Sequence, residues 1–99
     1  MNKSEILNKE NYKKAISNDV QLVDVRTPEE YNEGYIKDAE NIDVKSQDFI
    51  EKIETYSKSE PVYVYCKSGG RSQKAAEIMV DRGFSKVIDL EGGYMNWIK

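Results

Sequence analysis

The sequence predicts an α/β protein in which a mainly parallel β-sheet carries helices on both faces. Short β-branched runs alternate with amphipathic stretches of helical length, which is the pattern of βαβ units. Glycines and prolines punctuate several of the junctions between these stretches. At 99 residues the chain has the length of one domain, and we assign 1–99 to it.

The first half of the chain begins with an extended piece over 4–7 and a helix that Asn8 caps, ending near Ser17. A β-branched strand is predicted over 20–25. Thr27, Pro28 and Glu30 then predict a helix start, with Thr as the cap, Pro in the first turn and Glu closing a capping box. Two less regular elements follow: a strand over 41–44, and a helix that opens at Ser46 and buries Phe49, Ile50 and Ile53.

The second half contains the clearest strand, predicted over 62–66 directly after Pro61. A helix over 72–82 follows, with Gly83 as its stop and an apolar side made of Ala75, Ala76, Met79 and Val80. The last strand is predicted over 86–90, before a turn and a terminal helical piece. Ligands of parallel sheets bind beyond the carboxyl ends of strands, which directs attention to 25–27, 66–71 and 90–93.

Composition excludes several classes of function. The net charge is −3 with both signs interleaved, so we expect no nucleic-acid partner. No apolar run approaches the ~20 residues of a membrane span, and the first residues do not resemble a signal peptide, so we expect a cytoplasmic protein without a membrane partner. One cysteine and no histidine leave no disulfide, no Ser-His-Asp or Cys-His catalysis and no ordinary zinc site. We therefore expect neither a metal nor a cofactor.

The loop over 66–72 combines the features of an anion-binding site with the only cysteine. Two adjacent glycines allow backbone N–H groups to converge, and the helix that follows directs its positive end to the same point. Such a field favours a thiolate without a base. We predict Cys66 as the nucleophile, and the rest of the loop as the substrate-binding residues: Lys67, Ser68, Gly69, Gly70, Arg71 and Ser72. Taken singly, a lone cysteine is more often an inert buried residue, and a glycine pair more often a turn.

With these motifs the chain resembles the single-domain rhodaneses, which are sulfurtransferases. The matching segments are Leu-Val-Asp-Val-Arg-Thr-Pro-Glu-Glu-Tyr over 22–31, Gly-Tyr-Ile over 34–36, the Cys-Lys-Ser-Gly-Gly-Arg-Ser loop, and Leu-Glu-Gly-Gly-Tyr over 90–94 with Trp97. The resemblance implies a rhodanese-like fold with a five-stranded sheet. It also implies that Cys66 carries a persulfide while the loop amides and Arg71 hold the sulfur or its donor.

Two positions depart from the family pattern, and one arginine has two interpretations. Tyr35 replaces the histidine of the usual Gly-His-Ile segment, which suggests that this position has a structural role. Asp38 stands where glycine is frequent. Arg26 follows a predicted strand and could border the substrate pocket. The alternative for Arg26, which we favour, is a structural ion pair with a helix-start glutamate.

The expected function is transfer of a sulfane sulfur from a donor such as thiosulfate, through a Cys66 persulfide, to cyanide or a thiol, including a protein thiol. A persulfide carrier or regulatory binding module with little turnover on small donors is an alternative from another class. A cysteine phosphatase or arsenate reductase is a third. Those enzymes place five residues between Cys and Arg, whereas Cys66 and Arg71 enclose four, and the chain has no second cysteine to resolve a reductase cycle.

Overall fold

Five strands form the sheet in a computed structural model, which describes residues 2–99. The strands are β1 (Lys3–Leu7), β2 (Gln21–Asp24), β3 (Glu40–Asn41), β4 (Val62–Tyr65) and β5 (Lys86–Leu90). Their order across the sheet is β1-β5-β4-β2-β3, and all four pairings are parallel. The α/β fold class and the five-stranded parallel sheet are therefore confirmed.

The helices are α1 (Lys9–Ile16), α2 (Pro28–Asn32), α3 (Phe49–Ile53), α4 (Gly70–Asp81) and α5 (Gly93–Trp97). The central strand β4 separates two apolar clusters, because alternate side chains of a strand point to opposite faces. Val62 and Val64 pack with side chains of α3 and α4, whereas Tyr63 and Tyr65 pack with side chains of α1 and α5. Helices thus cover both faces, as predicted.

The predicted caps account for the starts of α1 and α2. Asn8 Oδ1 accepts a hydrogen bond from Asn11 N at 2.9 Å. The Thr27 hydroxyl accepts from Glu30 N, and the Glu30 carboxylate accepts from Thr27 N at 3.0 Å, which completes the capping box. This cap fixes α2 at the carboxyl end of β2, beside the loop that carries the cysteine.

Two predictions in the middle of the chain are wrong in detail. The strand expected over 41–44 is only β3, although the N–H groups of Ile42 and Val44 beyond it still donate to Asp24 O and Val25 O. The Asn41 side chain adds hydrogen bonds to Asp24 O and Arg26 O along the same edge. The helix expected from Ser46 starts at Phe49, since the Ser46 hydroxyl bonds to Asp48 instead of capping. With that start, Ile50 lies off the buried side and is 40% exposed.

Helix α4 begins at Gly70 rather than at Ser72. Gly69 occupies the cap position with a φ of +116°, a left-handed conformation that favours glycine. Ser72 lies inside the first turn, where its hydroxyl donates to Gly69 O at 3.2 Å, and it therefore caps nothing. At 12 residues, α4 is the longest helix, and within residues 2–99 no helix is both long and apolar enough to cross a membrane.

Candidate active site

Cys66 follows the end of β4, so the sheet places it at the edge where parallel strands present their carboxyl ends. The residue is only 1% exposed, and its Sγ accepts a hydrogen bond from Gly69 N at 3.0 Å. The first N–H groups of α4 have no partner within the helix, and the positive end of the helix dipole lies at the same loop. The sulfur therefore lies where backbone groups stabilise an anion.

Helix α5 supports this loop from the other side. The N–H groups of Tyr94 and Met95 donate to Cys66 O at 2.8 Å and to Lys67 O at 3.0 Å. A Cβ on Gly93 would lie 2.6 Å from both of those carbonyl oxygens, so only glycine allows this close approach. Residues 90–93 lie at the predicted edge of the sheet, but Gly93 does more than form the predicted turn. The pair of glycines after the end of β5 was the sequence feature that could have indicated this close approach.

Arg71 bonds to a carboxylate that lies 41 residues away in the chain. Its Nη1 and Nη2 donate to Glu30 Oε1 at 2.7 Å and to Glu30 Oε2 at 2.9 Å. The hydrogen bond from Arg71, helped by those from Thr27, lowers the pKa of Glu30 to about 2. Both terminal nitrogens of the Arg71 guanidinium therefore bind Glu30, and this ion pair connects the cysteine loop to the start of α2.

Arg26 makes a buried ion pair, but the predicted partner was wrong. Its Nε and Nη2 donate to the Asp24 carboxylate at 3.0 and 2.7 Å, and Nη2 also donates to Gly34 O at 2.6 Å. Its guanidinium carbon lies 4.4 Å from the centre of the Tyr94 ring. The carboxylate of Asp24, two residues away in the chain, accepts from Nε and Nη2 of Arg26. The helix-start glutamate Glu30 pairs with Arg71 instead. Asp24 is therefore the salt-bridge partner of Arg26.

Two clefts flank the loop. The first has a volume of about 270 Å³ and lies between α2, the loop and α5; it is lined by Arg26, Glu30, Glu33, Gly34, Lys67, Tyr94, Met95 and Ile98. The second has a volume of about 340 Å³ and lies on the other side of Arg71; it is lined by Val44, Lys45, Gly70, Arg71, Lys74 and Ile78. Each cleft thus brings cationic side chains and apolar walls to the rim of the cysteine loop.

The predicted site residues separate into a buried and an exposed group. Gly69 and Ser72 are buried with the thiol, whereas Lys67, Ser68 and Gly70 are exposed. Arg26 is buried at the base of the first cleft. Sequence reasoning missed Glu30, whose capping motif gave no hint of a second contact.

The two departures from the family pattern have structural explanations. Tyr35 is about half exposed and stacks on Tyr31 with ring centres 4.0 Å apart. Asp38 has a φ of +72°, a conformation that glycine adopts freely and that aspartate tolerates better than most residues. The glycine that is frequent at this position therefore suits the backbone directly.

Across residues 2–99, no group of three or more His, Cys, Asp or Glu side chains could hold a metal ion. The chemistry available at the site is that of a buried sulfur, backbone amides and cations.

Comparisons with known proteins agree with this geometry. The model of the rhodanese-like domain family matches residues 7–99. Thiosulfate sulfurtransferase 16, chloroplastic, of Arabidopsis thaliana is 38% identical over 89 residues, covering 80% of this chain and 74% of that protein. A sulfurtransferase of Allochromatium vinosum is 34% identical over 85 residues, covering 86% and 78%. The crystal structure of a rhodanese-like domain protein from Staphylococcus aureus superposes with a TM-score of 0.83 at 32% identity, covering 94% and 90% of the two chains. The chain belongs to the rhodanese-like family, whose relatives include named sulfurtransferases.

Proposed function

We propose that this protein is a sulfurtransferase in which Cys66 carries the transferred sulfur as a persulfide. The observation that carries the proposal is the hydrogen bond from Gly69 N to Cys66 Sγ at 3.0 Å, made at the positive end of α4. An N–H group that points at sulfur stabilises a negative charge there. The sole cysteine of the chain therefore has the surroundings of a nucleophile, and its relatives bear the names of sulfurtransferases.

The reaction proceeds in two displacements that need no oxidant. The Cys66 thiolate attacks the outer sulfur of thiosulfate, and the S–S bond of thiosulfate breaks while sulfite leaves with the electron pair. Cys66 then holds a persulfide whose terminal sulfur carries the charge. Cyanide or a thiolate, including one on a protein, attacks that terminal sulfur, and Cys66 leaves as the thiolate. Thiocyanate or a new persulfide is the product.

The backbone of the loop performs the part of this cycle that other cysteine enzymes assign to histidine. Each half-reaction begins and ends with negative charge on sulfur, so a fixed cradle of N–H groups serves both. Proton transfer is needed little, which fits a chain without histidine. Gly69 supplies the N–H group directly, and its left-handed backbone directs that group inward.

The charged side chains around the loop divide the binding of the donor between them. Lys67 is exposed at the rim of the first cleft, where it offers a mobile positive charge to an approaching dianion. Lys74 and Lys45 extend the positive field into the second cleft. Arg71 holds the shape of the loop through Glu30, whose carboxylate pairs with its charge.

Intact-mass measurement after incubation with thiosulfate tests the proposal. We expect one adduct of about +32 Da, the mass of one sulfur, that disappears on addition of cyanide with release of thiocyanate. Cys66→Ser is the matched control, since it removes the only thiol and changes one atom. Sulfur transfer by Cys66→Ser at the rate of the parent would contradict the assignment.

Two further results separate the alternatives, one from the release step of this experiment and one from a phosphatase assay. Normal sulfur loading with almost no release to cyanide or small thiols would favour a persulfide carrier that serves a partner protein. Aryl phosphate hydrolysis comparable to thiosulfate turnover would favour a phosphatase. We expect negligible hydrolysis, because the four residues between Cys66 and Arg71 close a loop too tight for a tetrahedral phosphate.

A further inference from the structure

A cleft separate from the cysteine loop lies between the edge strand β1 and helix α4. Its volume is about 360 Å³, in the range of small-molecule sites. Ser4, Glu5 and Ile6 line it from β1, while Gln73, Ala76 and Glu77 line it from α4, and Asp89 of β5 lies at its floor. We refer to these seven residues as the Asp89 cleft.

Asp89 is the unusual member of this set. It is 2% exposed, and among residues 2–99 its Oδ1 has no hydrogen-bond partner. In the parallel register Asp89 lies beside Ile6 of β1, and its side chain shares a sheet face with Val87, toward α4. A buried carboxylate oxygen without a partner is costly to keep, so a structure that retains one has a use for it or a missing counter-charge.

The charge state of Asp89 determines what kind of ligand it could bind. Burial raises its pKa to about 6, against the smaller opposing influence of the Ser72 hydroxyl and the Leu90 N–H. At pH 7 the group is therefore mostly a carboxylate that faces the cleft without a positive partner. The other charged groups that line the cleft are Glu77 on α4 and Glu5 on β1, and Glu5 is bound by Lys86 at 3.4 Å.

The lining of the cleft restricts the kind of counter-charge that fits. Among the described residues that line it there are three carboxylates and no lysine or arginine. A metal ion needs several oxygen ligands at short distance, and the described part of the chain holds no suitable group of three. Ile6, which is 52% exposed, and Ala76 form apolar walls above the single buried carboxylate.

We propose that the Asp89 cleft binds an alkylammonium group, with the ammonium on the Asp89 carboxylate and the alkyl chain against Ile6 and Ala76. Glu77 and the Gln73 amide lie at the rim and complement the same cation. A free primary amine and the side chain of a lysine share this chemistry. The site is independent of the sulfur chemistry at Cys66, so failure of one proposal leaves the other standing.

Titration of the isotope-labelled protein with n-butylammonium chloride, followed by NMR, tests the proposal. We expect saturable shifts at the amides of Ile6, Ala76 and Asp89, with a dissociation constant on the order of a millimolar. Neutral n-butanol is the matched control ligand and should bind at least tenfold more weakly. Equal binding of n-butanol, or no saturation by 50 mM amine (on the order of fifty times that constant), would overturn the proposal.

Two variants localise the binding. Asp89→Asn should weaken n-butylammonium at least tenfold, and Ile6→Lys should block it by placing an ammonium of the chain itself beside Asp89. Ile50→Lys, which adds the same charge at an exposed isoleucine outside the cleft, is the control and should bind within threefold of the parent. If Asp89→Asn fails to fold, the two lysine variants still decide, and retained binding by Ile6→Lys would refute the site.

A second arm distinguishes the two sources of the cation. N-acetyl-lysine methylamide presents a lysine side chain flanked by peptide bonds. Binding of it as tightly as n-butylammonium would assign the cleft to a protein side chain. Binding at least tenfold weaker would assign the cleft to a free amine.

Discussion

Two carboxylates approach the first turn of α4 from opposite sides, and their surroundings have opposite effects. Glu30 meets Arg71 through two hydrogen bonds of 2.7 and 2.9 Å, with both side chains 24% exposed, and its pKa falls to about 2. Asp89 lies on the inner side near Ser72 with an oxygen that no described residue binds, and burial raises its pKa to about 6. The same chemical group is thus held charged at one side of the helix start and pushed toward neutrality at the other.

The difference shows what sets the electrostatic field of the cysteine loop. Counted along the chain, the loop is surrounded by cations alone, with no acidic residue between Pro61 and Ala76. In space, Glu30 neutralises Arg71 from outside and Asp89 adds a negative charge from inside. The positive field at Cys66 therefore comes mainly from the backbone amides and the helix start, together with the lysines at the rim. Contacts between residues distant in the chain therefore determine which charged side chains contribute to the electrostatic field at Cys66.

The largest effect is expected from loss of the ion pair between Glu30 and Arg71. Glu30→Gln keeps the size of the side chain but removes the charge that binds Arg71 and weakens the cap on Thr27. We expect about 1–2 kcal/mol of lost stability in urea unfolding at pH 7. We also expect kcat/KM for thiosulfate to fall about tenfold, because the loop loses its tie to α2.

Glu33→Gln is the control for that experiment, since Glu33 lines the same cleft at an exposed position. It should leave stability and kcat/KM close to those of the parent. A 1 M salt concentration should reduce the difference between Glu30→Gln and the parent, because the ion pair is partly exposed and is screened. An unchanged kcat/KM in Glu30→Gln would mean that Arg71 shapes the loop without Glu30.

The sequence was sufficient for the elements whose signals are local. Caps at Asn8 and Thr27 located two helix starts, and β-branched runs located the central strands, because capping bonds and strand preference depend on close neighbours. The edge strand β3 and helix α3 were misplaced by one to three residues. Each is short, so a few hydrogen bonds decide where it begins and ends. Asn41 joins β3 to residues 15 and 17 positions away in the chain, whereas α3 starts late because of the local bond between Ser46 and Asp48.

The site was predictable to the same extent. The position of Cys66, the turn at Gly69 and the meeting of three strand ends follow from chain order and parallel topology. The pairing of Arg71 with Glu30 does not, because nothing in the sequence says which of several glutamates crosses 41 residues to reach it. The burial of Asp89 was equally hidden, since a polar residue in a strand ordinarily faces water.

The pH dependence of stability tests the Asp89 side of the comparison. The folded pKa of about 6 lies above the ~3.9 of an unfolded aspartate, so the folded state holds more protons between pH 4 and 6. Stability from this group therefore rises as pH falls from 7 to 5, by about 1 kcal/mol, and is lost again as pH rises through 6. Glu30 contributes nothing in that window, because its depressed pKa places its loss of stability below about pH 4.

Urea unfolding at pH 5 and pH 7 measures this change. Asp89→Asn cannot titrate and should show about 1 kcal/mol less gain on acidification than the parent. Glu30→Gln should keep the full gain of the parent between pH 7 and 5, and should differ from it in slope only below about pH 4. An identical pH response of the parent and Asp89→Asn would show that Asp89 has a partner in solution.

The smallest effect on stability is expected from replacing Asp38, a carboxylate away from helix α4. Asp38→Gly removes one negative charge, as Glu30→Gln and Asp89→Asn each do, and it relieves a left-handed backbone with a φ of +72°. Glycine gains about 0.5 kcal/mol of native-state relief there, partly offset by its greater freedom when unfolded. The variant should therefore be equal to or slightly more stable than the parent and keep its gain between pH 7 and 5. If Asp38→Gly instead reproduced the pH response of Asp89→Asn, that response would reflect net charge and not the buried position of Asp89.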